Sequence, residues 1–190
     1  IGGFGITYKA WDTQLERAVA IKEFLPSDMG IRDHTTALVK PLEGQADNYS
    51  YGLNKFLDEA KALAKFNHAN IVRVQTFFKD NGTAYLVMDY ESGQSLSQLL
   101  KACGGKLSED QCKAIFIPVL KGLEQVHAAG FLHRDIKPGN IYLRENNEPV
   151  LIDFGAARSA IGEHSKSMTG IVSAGYAPIE QYSTDSKRQG

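Results

Sequence analysis

The run His133-Arg134-Asp135-Ile136-Lys137-Pro138-Gly139-Asn140 is followed, thirteen positions after its last residue, by Asp153-Phe154-Gly155. Both segments place acidic or amide groups at a spacing suited to holding metal ions and a transferring phosphoryl group. At the other end stands Ile1-Gly2-Gly3-Phe4-Gly5, which has the form of the last five residues of a G-x-G-x-x-G loop. Glycine lets backbone N–H groups approach phosphates without obstruction by a Cβ atom. A strand pattern follows Gly5, whereas a Rossmann or P-loop cradle opens a helix, and no G-x-x-x-x-G-K-[ST] occurs anywhere. Lys22 lies in Val19-Ala20-Ile21-Lys22. A lysine in a strand is ordinarily solvated, but this apolar surround implies a partner for the charge.

Taken in this order, the segments resemble the eukaryotic-type (Hanks-type) Ser/Thr protein kinases, and Gly175-Tyr176-Ala177-Pro178 resembles bacterial members of that family. The resemblance implies an α+β, two-lobed protein-kinase-like fold, with a β-rich N-lobe and a mainly helical, incomplete C-lobe. It implies ATP with Mg2+ (or Mn2+) as cofactors and phosphoryl transfer to Ser/Thr hydroxyls of protein substrates. Asp135 takes the place of the catalytic aspartate that orients the hydroxyl and accepts its proton. A free carboxylate is a weak base at neutral pH, so positioning has to do most of that work. Lys137, typical of Ser/Thr rather than Tyr kinases, is implied to neutralise charge on the γ-phosphoryl group. Asn140 and Asp153 are the implied metal ligands, hard oxygen donors of the kind Mg2+ takes.

Nucleotide contacts follow from the same resemblance. Gly2, Gly3, Phe4 and Gly5 are implied to cover the phosphates, and Lys22 to bind them. Glu59 is the implied partner of Lys22, with Glu43 and Asp58 as rivals; Asp58 faces away from the apolar stripe and Glu43 precedes the helix. The separation of Lys22 from Glu59, 37 residues, exceeds what the family usually shows. Met88 falls at the gatekeeper, Asp89-Tyr90-Glu91 at the hinge, and Ala20 and Tyr142 at the two faces of the adenine, where ordinary core packing is the competing reading. His133 and Phe154, with Leu63 and Val74, are implied to form an internal apolar column. The other histidines show no ligand spacing. In the Ser/Gly/Thr-rich stretch 156–174, Ser165, Ser167 and Thr169 are candidate autophosphorylation sites with Arg134 as anchor, and Ser173 matches a position that touches the catalytic loop. Pro178-Ile179-Glu180 departs from the usual Ala-Pro-Glu.

The elements that must carry these residues are legible as patterns. Residues 6–10 and 18–24 read as strands around Asp12-Thr13-Gln14, and 71–78 and 83–90 as strands around Asn81-Gly82, a strong hairpin signal. Residues 53–66 fit one helical face through Phe56, Leu57, Ala60, Leu63 and Ala64. The stretch 26–50 is polar and irregular, long for a connection, and reads as functional or mobile. Ser108-Glu109-Asp110-Gln111 has the capping-box form, and Ile115, Val119, Leu123 and Val126 continue its helix past Pro118 to Gly130. Ser95 reads as a helix cap before Leu96. Residues 141–143 and 150–152 are short strands. Strands first and helices afterwards suggest two lobes meeting near 89–95.

With 190 residues, 43% hydrophobic and 23% charged, the chain can form a sizeable core. A net charge of −1 provides no basic field for nucleic acid, and the apolar runs fall short of the ~20 residues of a membrane span. Two cysteines are too few for a disulfide framework, so a cytoplasmic setting is expected, alone or as the cytoplasmic domain of a larger membrane-anchored protein. Residues 1–190 read as a partial kinase domain cut at both ends: 1–90 an N-lobe lacking its first strand, 91–190 a partial C-lobe with catalytic and activation loops. Such a piece alone is expected to be weakly active or inactive. The alternatives are a pseudokinase or nucleotide-binding scaffold, and a small-molecule kinase of the same fold.

Overall fold

The computed structural model describes residues 5–154 together with 175 and 176. Gly2, Gly3, Phe4, Ser165, Ser167, Thr169, Ser173 and Glu180 lie outside the described residues. The first half holds β1 (Gly5–Asp12), β2 (Arg17–Phe24), β3 (Gly30–Arg32), β4 (Val39–Pro41), α1 (Ala46–Leu63), β5 (Val74–Asp80) and β6 (Thr83–Asp89). The second holds β7 (Gly93–Ser95), α2 (Leu96–Ala102), α3 (Glu109–Ala128), a 3-10 turn at Pro138–Asn140, β8 (Ile141–Arg144) and β9 (Pro149–Leu151).

Four strands form an antiparallel sheet in the order β1-β2-β6-β5. Local chemistry closes both of its hairpins. At the first turn the Asp12 carboxylate accepts from the N–H groups of Gln14 and Leu15, both at 3.0 Å. At the second, Asn81 and Gly82 take φ of 49° and 70°, the left-handed pair that a two-residue hairpin turn requires. Helix α1 buries Phe56, Leu57, Ala60 and Leu63 of the stripe expected from the sequence, but it ends at Leu63, short of residue 66, and the fifth member, Ala64, is its exposed C-cap. Helices α2 and α3 each start on a capping box, Ser95 with Gln98 and Ser108 with Gln111, each satisfying two otherwise orphaned backbone donors.

Two expectations need correction. Residues 26–50 are not irregular: they form the β3–β4 hairpin, paired from Gly30↔Pro41 to Arg32↔Val39, and run into α1. That helix therefore starts at Ala46, well before residue 53. Its opening turns are polar or small except for Tyr49 and Tyr51, so apolar periodicity could not announce them. The strand expected from residue 71 joins the sheet only at Val74. Ile71 instead bridges to Leu151, the Val72 N–H donates to the Leu151 carbonyl (3.0 Å), and the Leu151 N–H donates to the Asn70 carbonyl (2.8 Å).

That detour joins the halves. Strands β7, β8 and β9 make a second small sheet, and β9 receives the segment that enters β5. The buried apolar residues form one cluster, from Phe24, Tyr49 and Phe56 through Ile71, Val72 and Met88 to Leu96, Val119, Val126, Leu151 and Phe154. Through this core the strand β2 and the loop between α3 and β8 belong to one packed body.

Candidate active site

Strand β2 brings one wall. Its pairing with β6 sets Ala20 opposite Met88 and Lys22 opposite Leu86. Residues two apart share a face of a strand, so Ala20 and Lys22 look into the same space. Gly5 crosses Phe24 in the β1–β2 ladder, and a Cβ there would lie 2.0 Å from the Glu23 carbonyl oxygen. No side chain fits at that position, which accounts for glycine there independently of any phosphate.

The opposite wall is the loop from His133 to Asn140. His133 is fully buried and neutral. Its Nδ1 accepts from the Asp135 N–H (3.2 Å) and its Nε2 lies 3.1 Å from the Ile152 carbonyl, which fixes the tautomer with the proton on Nε2. Burial is the main cause pushing its pKa down to about 4, against the raising effect of the Ile152 carbonyl and the nearby carboxylates. The imidazole packs against Phe154 in a tilted contact with centroids 4.3 Å apart, and Phe154, Leu63 and Val74 share the core cluster. The packing role expected for His133 and Phe154 is the one the coordinates give.

Asp135 is buried at 4% exposure, and polar groups hold its carboxylate on two sides. Lys137 Nζ lies 3.2 and 2.9 Å from its two oxygens, and Asn140 Nδ2 donates to Oδ2 at 2.8 Å. The same amide donates to the Asp135 carbonyl (2.8 Å) and sits 3.4 Å from the Asp153 carbonyl. The Ile152 N–H donates to the Asn140 carbonyl at 2.9 Å, lacing this loop to the segment that presents Asp153. Arg134 and Asp153 both occupy the left-handed backbone region, at φ of 61° and 64°. Non-glycine residues there cost on the order of 1–3 kcal/mol, which the surrounding hydrogen bonds offset. The two walls meet where Lys22 Nζ lies 2.5 Å from Asp153 Oδ1.

Glu59 is on α1 and buried at 5% exposure, whereas its rival Asp58 is exposed and paired with Lys61, and Glu43 is exposed ahead of the helix. Met88 is buried where β6 ends. The Asp89 N–H donates to the Arg73 carbonyl (3.0 Å), so it is not among the hinge groups an adenine could use. Tyr142, partly buried on β8, donates its hydroxyl to the Gly93 carbonyl at 2.9 Å. Sequence reasoning missed Arg144, whose guanidinium grips the Glu91 carboxylate. A lone basic residue at a strand end carries no signal of a partner 53 positions away.

A four-stranded sheet with one helix packed on it, a hinge, and a helical half that presents an Asp-Lys-Asn loop define the architecture of a protein kinase catalytic domain. The chain belongs to the protein kinase domain family, which it matches over residues 1–188. It is 32% identical over 198 residues to a probable serine/threonine-protein kinase PknB of Bifidobacterium longum, covering 100% of this chain and 26% of that protein. It is 34% identical over 164 residues to serine/threonine-protein kinase D of Synechocystis, covering 85% of this chain and 29% of that one. Among solved structures, the apo form of PpkA-294 superposes with a TM-score of 0.87 at 38% identity, covering 96% of this chain and 65% of that chain. Rad53 1-466 in complex with AMP-PNP gives 0.62 at 27% identity, over 82% of this chain and 36% of that one. The chain thus spans between a quarter and a third of the length of these two curated relatives.

Proposed function

We propose that the protein to which this chain belongs transfers a phosphoryl group from ATP to Ser or Thr hydroxyls of protein substrates. The observation that carries this reading is the meeting of Lys22 and Asp153 at 2.5 Å beside an Asp135 carboxylate held by Lys137 and Asn140. These five groups, to which the reading gives roles in phosphoryl transfer, come from strand and loop segments more than a hundred residues apart.

Asp135 orients the acceptor hydroxyl and takes its proton. Its buried carboxylate is already held on both oxygens, so little reorganisation is needed when the hydroxyl arrives. Lys137 reaches Asp135 and moves its charge toward the transferring group as negative charge gathers there. Lys22 neutralises the inner phosphates, and Glu59, buried on the adjoining helix, steadies that ammonium. Ala20, Met88 and Tyr142 enclose the base as apolar surface, with the backbone of 89–91 reading its edge; Gly2, Gly3, Phe4 and Gly5 close over the phosphates. The site suits a hard divalent cation. Asn140 uses its Nδ2 as a donor, which leaves the amide oxygen for a metal, and Asp153 supplies a carboxylate. Among the described residues no group of three or more His, Cys, Asp or Glu could hold a metal ion; Mg2+ or Mn2+ would take its remaining ligands from water and the nucleotide phosphates. When bound, the ion neutralises phosphate charge and lines up the leaving group.

The relative's complex with AMP-PNP supports nucleotide binding in a site of this kind. Among the described residues no helix is long and apolar enough to cross a membrane; the reading places the chain in the cytoplasm, alone or within a membrane-anchored protein. Autophosphorylation at Ser165, Ser167 or Thr169 belongs to the same proposal. The test is Asp135→Asn in the full protein. Phosphate transfer to a Ser/Thr peptide falls by about 10²–10⁴-fold while ATP binding by calorimetry is retained. A wild-type protein that binds ATP without turnover would support a scaffold instead.

A further inference from the structure

The residue after Lys22 is a second buried charge whose partner comes from the connection between β2 and α1. Strand alternation turns Glu23 to the face opposite Lys22. Its exposure is 1%, although Tyr8, on the same face of the neighbouring strand, is 41% exposed. The β3–β4 hairpin supplies the counterion: Arg32 Nη2 pairs with Glu23 Oε1, Tyr8 donates its hydroxyl to Oε2 at 2.9 Å, and Arg32 Nη1 donates to the Ala37 carbonyl at 2.7 Å.

Two more anchors fix the hairpin to the sheet. The Val39 N–H donates to the Asn81 carbonyl (2.8 Å) at the β5–β6 turn, and Met29 and Val39 are buried in the core. The chain then enters α1 without slack: the Leu42 N–H donates to Met29, the Gln45 N–H to Leu42, and Gln45 stands at the helix N-cap. In the first turns of α1, Tyr49 donates to the Gly82 carbonyl (3.0 Å), and its ring lies 5.4 Å from Phe24 at the end of β2. Phe56, one turn before Glu59, lies 5.6 Å from the same Phe24. The connection of residues 25–45 is therefore a braced strut from the strand that carries Lys22 to the helix that carries Glu59.

We propose that Arg32 and Glu23 are positioning residues for phosphoryl transfer, and that the β3–β4 hairpin fixes α1 relative to Lys22 through their ion pair. This rests on the kinase reading above. Arg32 is the counterion of a carboxylate at 1% exposure, and removing one partner of a buried ion pair is strongly destabilising, so the structure around the orphaned group shifts to relieve it. Loss of Arg32 therefore unseats the hairpin, frees the start of α1 and displaces Glu59 from the lysine.

In the full protein, Arg32→Met lowers kcat roughly tenfold to a hundredfold with little change in KM for the peptide, as a misplacement of about 1 Å near a reacting group does. Acetylation of Lys22 by an amine-reactive ester, followed by mass spectrometry, speeds up several-fold. Glu23→Gln added to Arg32→Met removes the orphaned charge and returns both readouts most of the way. Should Arg32→Met not fold, Tyr49→Phe carries the test: it removes only the hydroxyl, with its bonds to the Gly82 carbonyl and the Thr83 side chain, and gives a smaller change of the same sign in both readouts. Variants that lose thermal stability while kcat and Lys22 acetylation stay at wild-type values overturn the proposal. A wild type without turnover, in which acetylation still responds to Arg32→Met and is reversed by Glu23→Gln, overturns the kinase reading and leaves the strut standing.

Discussion

Arg144 holds Glu91 through two parallel hydrogen bonds, Nε to Oε2 at 2.6 Å and Nη2 to Oε1 at 2.7 Å, while its Nη1 donates to the Ala69 carbonyl at 2.7 Å. One side chain on β8 thus ties the hinge to the segment that enters β5. Both partners are largely withdrawn from water, with side chains 25% and 13% exposed. Arg144→Leu leaves Glu91 without its counterion in a half-dry site and costs about 2–3 kcal/mol, less than the ~3–5 typical of fully buried pairs. Arg144→Lys keeps the charge and loses the planar fork, so it recovers only part of that. Urea unfolding of the two variants, and of Glu91→Gln/Arg144→Leu, checks the coupling; equal stability of Arg144→Leu and wild type refutes it.

His133 makes stability depend on pH. Its folded pKa, about 4, lies below the ordinary 6.5, so between those values the unfolded chain binds the proton that the folded one refuses. Stability is therefore full above pH 6.5 and falls as pH drops toward 4. At pH 5 the loss amounts to about 2 kcal/mol. Urea midpoints at pH 7.5 and pH 5 measure it, and His133→Leu flattens this part of the pH dependence while lowering stability at both, because the Asp135 N–H loses its acceptor. A wild type with the same midpoint at both pH values contradicts the assignment.

Legibility in the sequence followed the range of each interaction. Asn81-Gly82, Ser108 with Gln111, and the apolar stripe of α1 announce themselves because their causes lie within four residues. The catalytic-loop and Asp153 segments were legible as types and spacing, and the fold brings Lys22 and Asp153 together across 131 positions. The β3–β4 hairpin was not legible. Its strands are three residues long, and what orders them is Glu23, Asn81 and Gly82, which local pattern cannot see. The pairing of Glu91 with Arg144 was hidden for the same reason.

Gly82 and Gly44 separate backbone conformation from close approach. Both have positive φ, 70° and 73°. A Cβ on Gly82 would lie 2.4 Å from the Val39 carbonyl oxygen, a backbone atom of β4, whereas one on Gly44 meets nothing within 4 Å. Gly44→Ala therefore costs only the left-handed conformation, about 1 kcal/mol. Gly82→Ala pays that and also pushes β4 from the turn, for a total of about 2–4 kcal/mol. Thermal unfolding of both variants checks the difference. Equal losses would mean that β4 yields freely, and would weaken the strut with it.

Helix α3 presents Phe116, Ile117 and Leu120 at 40%, 49% and 61% exposure, on the side away from the buried Ile115, Val119 and Leu123. Three large apolar side chains within five residues form a patch that soluble domains ordinarily cover. The curated relatives extend far beyond the stretch they share with this chain, and the solved PpkA-294 chain has a third of its length outside the match. We expect further chain to lie on this patch and to hold the underside of the loop at Asp135. The 190 residues expressed alone then bind a hydrophobic dye and transfer phosphate at least about tenfold more slowly than the full protein, since the carboxylate loses its fixed position. Leu120→Glu separates the two lengths: it quenches dye binding in the short chain and lowers the stability of the full one. Equal phosphate transfer by both lengths, with no dye bound by either, would show that the patch needs no cover.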